Sequence, residues 1–295
     1  MLISDKWRDY ELIDCSDGER LERWGDYILI RPDPQVVWND MRGSKYWNKA
    51  DAVYHRSQKG GGGWGGGRSG RKLPDEWEIS YGGLRFICRP TGFKHTGIFP
   101  EQAVNWDWAD KLIRSAGREI RVLNLFAYTG AATCACSAAG ASVCHVDASK
   151  GMVGQAKANI ALCGLSDRSV RYIVDDCFKF VERELRRGSR YDAVIMDPPS
   201  YGRGPGGELW KLEENICDFI LRTVGLLSDT PLFFLINSYT TGLSPYATGY
   251  ILNQAMKARG FSGALECEEL GLPVTESGLC LPCGASARWS APAKP

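Results

Sequence analysis

The sequence predicts a doubly wound α/β sheet over residues 96–295, preceded by a small β-rich module over residues 1–95. Two observations carry this. From residue 121 onward, short apolar β-branched runs take turns with stretches of helical spacing, and strict alternation of that kind specifies a parallel sheet covered on both faces. Before that point the apolar runs are brief and cut by turns, the pattern of a mostly antiparallel module.

In the module, the runs DYILIRP, QVVW, AVYHR and WEISYGGLRFICRP read as strands. Between them lies KGGGGWGGGRSGRK, too rich in glycine to hold a regular element and therefore expected to be a mobile loop or hairpin tip with basic flanks. Residues 101–117 read as a helix with Trp106, Ala109, Leu112 and Ile113 on one face and Gly117 closing it. Then come the buried parallel strands RVLNLF, SVCHV, VRYIV, YDAVIM and PLFFLIN, with helices expected at 130–139, 149–163, 177–187, 213–227 and 245–259. The tail, LECEELGLP and TESGLCLPCGASARW, reads as two more strands that add an antiparallel edge.

A hydrophobic fraction of 44% and a charged fraction of 24% are globular values, and they exclude disordered and fibrous classes. The net charge of +1 gives no global pull toward nucleic acid, but its distribution is uneven: residues 1–41 are net −5 and residues 42–94 net +7. The basic stretch suits a phosphate-bearing substrate as well as it suits a solvated surface. The 11 cysteines are odd in number, and MLISDKWRDY lacks a signal segment, so a reduced cytoplasmic setting without membrane insertion is expected. Cys280 and Cys283 form a CxxC and Cys134 and Cys136 lie close together, yet their spacing does not make a zinc site; no metal is expected, and small buried side chains are the better account.

In a doubly wound sheet, ligands bind beyond the carboxyl ends of the strands, so the residues after each strand carry the chemistry. After the first stands AYTGAAT, where Gly130 lets backbone approach a ligand and the next helix offers free N–H groups. After the second stands Asp147, placed to accept from the paired hydroxyls of a ribose. After the third stand Asp175, Asp176 and Cys177, where an acid can accept from an adenine amino group. Three strand ends thus describe one adenosine-shaped ligand. After the fourth comes MDPPSYGRG: the Asp197 carboxylate and the Pro198 carbonyl can accept from a planar nitrogen group, and Tyr201 can offer a ring face to a base taken out of its stack. The GxGxxG of dinucleotide enzymes is absent, which argues against a nicotinamide-dependent oxidoreductase.

With these residues in view, the sequence resembles the S-adenosylmethionine-dependent methyltransferases related to the bacterial large-subunit ribosomal RNA cytosine methyltransferases. The likeness runs from about Tyr54 to Trp289 through VYHR, LPDEW, KHTGIFPEQ, VLNLFAYTGAAT, HVDASKG, DDCFKF, DPPSYGRG and PCGASARW. It implies a Rossmann-like class I methyltransferase sheet, S-adenosyl-L-methionine as cofactor and a base in ribosomal RNA as acceptor. Carried over residue by residue, Phe126, Tyr128, Thr129 and Gly130 surround the methionine moiety and Asp147 the ribose, with Ser149 beside it capping the next helix. Asp176 and Cys177 meet the adenine. Lys94, Thr96 and Gln102 cover the cofactor, and Asp197 closes its site beside the acceptor, with Pro198 and Tyr201.

Two departures bear on the acceptor. Ribosomal members usually begin with an RNA-binding PUA domain, whereas the first 41 residues here are few and acidic, which leaves room for a protein or small-molecule acceptor. Methylation at C5 of a pyrimidine needs a cysteine to attack C6; relatives carry it just after the fifth strand, where this chain reads INSYTTG. Cys177, Cys267, Cys280 and Cys283 are poor replacements, so attack by a nitrogen or oxygen lone pair is the simpler route. Of the three histidines, His145 reads as a core residue and His95 as the better candidate base. The oligomeric state is open.

Overall fold

A computed structural model describes residues 1–57, 61–203, 209–240 and 242–292. They form two compact units, Met1–Val104 with Leu270–Cys283 and Asn105–Glu269 with Gly284–Pro295. The sequence places the division at residue 95 and assigns the whole C-terminal part to the second unit. The stretch from Leu270 belongs to the first unit because it pairs there: β1 (Leu2–Ile3) runs parallel to Leu270 and Gly271, and Thr275 and Glu276 donate their N–H groups to Leu12 and Ile13.

In the first unit, β2 (Tyr10–Ser16), β3 (Glu19–Trp24), β4 (Tyr27–Pro32), β5 (Ala52–Arg56) and β6 (Gly62–Gly66) form a five-stranded sheet in that order, antiparallel except for the parallel β4–β5 pair. β7 (Trp77–Tyr81) and β8 (Leu84–Cys88) make a separate hairpin. One strand is unforeseen and two expectations change. ERLERW forms β3, with its charges paired inside the unit: Glu22, fully buried, takes a hydrogen bond from the Tyr10 hydroxyl at 2.7 Å and two from the Arg31 guanidinium. QVVW is not a strand; the Asp33 carboxylate accepts from the Gln35 N–H at 2.8 Å and turns the chain, leaving Val37 exposed. The glycine-rich stretch is partly regular: Gly62–Gly66 is β6, where only glycine backbone can lie this close to the His55 carbonyl, and Trp64 packs on Tyr54 at 5.4 Å and donates to the Thr91 carbonyl at 3.0 Å. Residues 58–60 of that stretch lie outside the described residues.

The second unit is the doubly wound layer. After α1 (Ala103–Ser115) follow β9 (Arg121–Leu125), α2 (Ala131–Ala138), β10 (Ser142–Asp147), α3 (Lys150–Leu162), β11 (Val170–Val174), α4 (Cys177–Arg187) and β12 (Ala193–Met196). Then come β13 (Tyr201–Arg203), β14 (Leu209–Lys211), α5 (Leu212–Val224), β15 (Phe233–Ser238), α6 (Pro245–Ala258), β16 (Ala264–Pro273) and β17 (Cys280–Ser290). The sheet order is β16-β17-β15-β12-β9-β10-β11, with β17 antiparallel to β15 and β15, β12, β9, β10 and β11 mutually parallel. One face packs Leu125, Met196, Phe234 and Ile236 against α4, α5 and α6, and the other packs Val122, Ile195 and Phe233 with Ile113 of α1 and Cys136 of α2. The order reverses between β9 and β12, which opens a crevice at their carboxyl ends. The small β13–β14 hairpin is unforeseen, and residues 204–208 of it lie outside the described residues.

Candidate active site

Four strand ends converge at that crevice. β9 stops at Leu125 because the chain twists into left-handed backbone, φ 54° at Phe126, 50° at Tyr128 and 81° at Gly130. Two of these are non-glycine residues in a sparsely populated region, which persists where the surroundings over-determine it. Here they do. The Tyr128 N–H donates to the Asp147 Oδ2 at 2.8 Å, the Ala127 N–H to the Val146 carbonyl at 3.0 Å and the Phe126 N–H to the Cys177 Sγ at 3.3 Å. A Cβ on Gly130 would meet Ala156 Cβ at 2.7 Å, so α3 packs directly on the turn.

Asp147, at the end of β10, is oriented from both sides: Oδ2 takes the Tyr128 N–H and Oδ1 the Ser149 N–H, each at 2.8 Å. Burial pushes its carboxyl above the usual range, and the two N–H groups oppose that. Ser149 is the N-cap of α3, its hydroxyl accepting from the Met152 N–H. Asp176 is the N-cap of α4 and accepts from the Lys179 N–H at 3.0 Å, while its neighbour Asp175 pairs with Arg183. Cys177 is buried under the turn, its Sγ taking the Phe126 N–H, and burial holds its thiol well above the usual range.

At the fourth end, the Asp197 N–H donates to the Leu125 carbonyl at 3.4 Å, which fastens the Asp-Pro-Pro turn to β9. Pro198 is buried and Tyr201 is 58% exposed. The turn is also tied sideways, because the Ser200 hydroxyl accepts from Thr240, after β15, at 2.7 Å. Trp210 of β14 donates to the Pro199 carbonyl and stands 5.7 Å from both Phe126 and Phe178, which gives the crevice an aromatic wall.

Asp147, Asp176, Cys177, Asp197, Pro198, Tyr201 and the Phe126–Gly130 turn therefore share one rim of the second unit. Lys94, Thr96 and Gln102 belong to the first unit. There the Lys94 ammonium reaches the Pro32 carbonyl at 3.4 Å, and burial lowers its pKa. Among the described residues the fully buried Thr96 hydroxyl and the buried Oε2 of Glu101 have no hydrogen-bond partner; Gln102 lies in a one-turn helix beside Glu101, whose carboxyl burial pushes up. Burial pushes His95 down to about 3, so its ring is neutral and weakly basic.

Sequence reasoning missed the supports under the turn. Asn159, fully buried on α3, donates to the Thr129 carbonyl at 2.9 Å. Thr133 accepts from Asn124 at 3.0 Å and lies 2.9 Å from His145 Nδ1; burial lowers the His145 pKa to about 4, so this core histidine is neutral. Asn159 falls on the face of α3 that carries the apolar Val153, Ala156 and Ile160, and a polar residue at that spacing is the available signal; nothing marks Trp210. Asn159→Leu keeps the volume and removes the donor, so the Thr129 carbonyl loses that partner inside the protein. We expect a loss of about 1–3 kcal/mol in urea unfolding, together with weaker binding of S-adenosylhomocysteine by calorimetry.

A doubly wound sheet with an acid after β10, an acidic N-cap after β11 and an Asp-Pro-Pro turn after β12 defines a class I methyltransferase architecture. The chain belongs to the S-adenosylmethionine-dependent methyltransferase family, whose model matches residues 53–227. It is similar to the crystal structure of a SAM-dependent methyltransferase from Agrobacterium tumefaciens, at 36% identity and a TM-score of 0.92, covering 99% of this chain and 93% of that one. A methyltransferase from Streptococcus mutans, at 16% identity, TM-score 0.75 and coverage of 97% and 76%, shares the fold. Among curated proteins, it is 31% identical over 148 residues to a "Ribosomal RNA large subunit methyltransferase K/L" of Shewanella frigidimarina, covering 50% of this chain and 20% of that protein. The protein of the same name from Methylococcus capsulatus is 34% identical over 124 residues, covering 42% and 16%. The match thus spans a fifth or less of these curated relatives' length. No helix among the described residues is long and apolar enough to cross a membrane.

Proposed function

We propose that this chain transfers the methyl group of S-adenosylmethionine to a nitrogen of a base in large-subunit ribosomal RNA. The observation that supports it most is the Asp197–Pro198 turn, fastened to β9 and to the loop after β15, beside the strained turn and the doubly held Asp147 carboxylate. The donor set fits the cofactor. Asp147, with both oxygens aimed by main-chain N–H groups, keeps lone pairs for ribose hydroxyls. Asp176, capping α4 through Oδ1, keeps Oδ2 for an adenine amino group, and the left-handed turn presents backbone rather than side chains to the methionine end.

When bound, the cofactor supplies an electrophilic methyl group on a sulfonium. The chain's own part is positioning: Asp197 and the Pro198 carbonyl accept from the amino hydrogens of a planar base and aim its nitrogen lone pair, and Tyr201 offers a ring face to the flipped base. Asp197 would also face the positive charge that develops at that nitrogen, and the proton the nitrogen gives up would pass to solvent water.

A cysteine-first route to carbon is disfavoured by the thiols themselves. Cys177, Cys267 and Cys283 are buried and burial raises the pKa of each, and near the end of β15 the Asn237 side chain accepts from Asn105 and Ser286. The expected result is that mass spectrometry of large-subunit ribosomal RNA nucleosides finds one N-methylated base missing from cells lacking the gene and restored by its return. An unchanged nucleoside profile would remove RNA as the acceptor.

A further inference from the structure

The second unit's crevice leaves unexplained the basic stretch of the first. From Arg42 to Lys72 the chain carries eight bases against one acid, Asp51. That acid is no counter-charge to them at the surface: it is buried, accepting from the Ile28 N–H at 2.7 Å and the Ser69 hydroxyl at 2.6 Å.

We propose that Lys45 and Lys49, beside Tyr46, together with Arg68 and Arg71 on the segment docked against that turn, form a binding surface for the phosphate backbone of single-stranded RNA, an inference that rests on the RNA reading above. Ser44 caps a one-turn helix, Lys45–Asn48, that sends Trp47 into the core and leaves Tyr46 exposed. The Lys45 and Lys49 ammonium groups lie 5.7 and 6.0 Å from the Tyr46 ring centre. A separate segment is docked against this turn: the Arg68 and Ser69 N–H groups donate to the Ala50 carbonyl at 2.8 and 3.1 Å, and the Arg68 guanidinium reaches the Asn48 side chain. Arg71 lies on the same segment, its N–H on the Ser69 hydroxyl and its guanidinium 4.2 Å from the Tyr27 ring and bonded to the Asp26 carbonyl at 2.9 Å.

These four cations have no carboxylate partner among the described residues, whereas Arg23, Arg42, Arg85 and Arg89 of the same unit each have one. Cations gathered from two chain segments repel one another; a polyanion that releases its counter-ions on contact turns that repulsion into attraction. The ring between two ammonium groups gives a base a face to stack on, which a membrane surface or an acidic peptide would not use.

The test is fluorescence anisotropy of the full chain with a labelled oligouridylate of about twelve nucleotides, between about 50 and 200 mM salt. For the triple variant Lys45→Ala/Lys49→Ala/Arg68→Ala we expect at least a tenfold loss of affinity at low salt. The slope of log K against log salt should fall by about 2, at roughly 0.7 for each lost phosphate contact on a single strand. Tyr46→Ala should weaken binding by about fivefold or more with the slope unchanged. Because these side chains are exposed, the thermal midpoint and S-adenosylhomocysteine affinity should stay at wild-type values. If the triple variant keeps the wild-type slope, the patch assignment is wrong while the RNA reading stands. If wild type binds no oligouridylate but binds phosphatidylglycerol vesicles through these residues, the surface serves a membrane. Failure of the wild type to bind RNA at any salt, joined to an unchanged nucleoside profile, removes both.

Discussion

Asp197→Ala should slow methyl transfer by about 10²–10³-fold while leaving the fold and cofactor affinity nearly intact. The reasoning separates the two jobs done at this position. The main-chain N–H of residue 197 ties the turn to Leu125, and alanine keeps that bond. Pro198 and the Ser200–Thr240 bond hold the turn independently of the carboxylate. What alanine removes is the acceptor that aims the base nitrogen and meets its growing charge, an interaction stronger in the transition state than before it. Single-turnover transfer from labelled S-adenosylmethionine to ribosomal RNA of the gene-deleted strain gives the rate, and calorimetry with S-adenosylhomocysteine gives the affinity. A saturated rate within about twofold of wild type, with weakened cofactor binding, would assign Asp197 to the cofactor alone.

That the proposed site residues share one rim is legible in the sequence because they sit where a period changes. Asp147, Asp176 and Asp197 each stand at or just past the end of an apolar strand, buried for β10 and β12 and half-exposed at the sheet edge for β11, and the helices after them match the expected spans to within a few residues. What could not be read is whatever depends on partners distant in sequence. ERLERW carries four charges in six residues and forms β3 because the partners of Glu22 lie at Tyr10 and Arg31. The β6 strand hides in a glycine run, the opposite of ordinary strand propensity, and at Gly62 the pairing leaves no room for a Cβ against the His55 carbonyl. Trp210 reads as any surface tryptophan until the hairpin folds it beside Phe126 and Phe178. Local pattern exposes the sheet; the supports that hold its loops are long-range.

The same long-range pairing makes Glu22 the position of largest expected effect on stability. Burial alone would raise its carboxyl, but Arg31, with Arg20 and the Tyr10 hydroxyl, outweighs burial and holds it at about 2, below the ordinary 4.5. A depressed carboxylate pKa stabilises the fold fully above about pH 4.5, and the contribution is lost as the pH falls from there toward 2. At about 1.4 kcal/mol for each pH unit, the window holds on the order of 3 kcal/mol. Glu22→Leu leaves Arg31 buried without its carboxylate, and urea unfolding at neutral pH should show a loss of about 3–5 kcal/mol. The acid-side fall in stability should shrink in the same variant. Adding Arg31→Met removes the stranded charge, so the double variant should recover a large part of the deficit. If Glu22→Leu/Arg31→Met is no more stable than Glu22→Leu, the pairing does not govern this sheet, and its charges are held by other means.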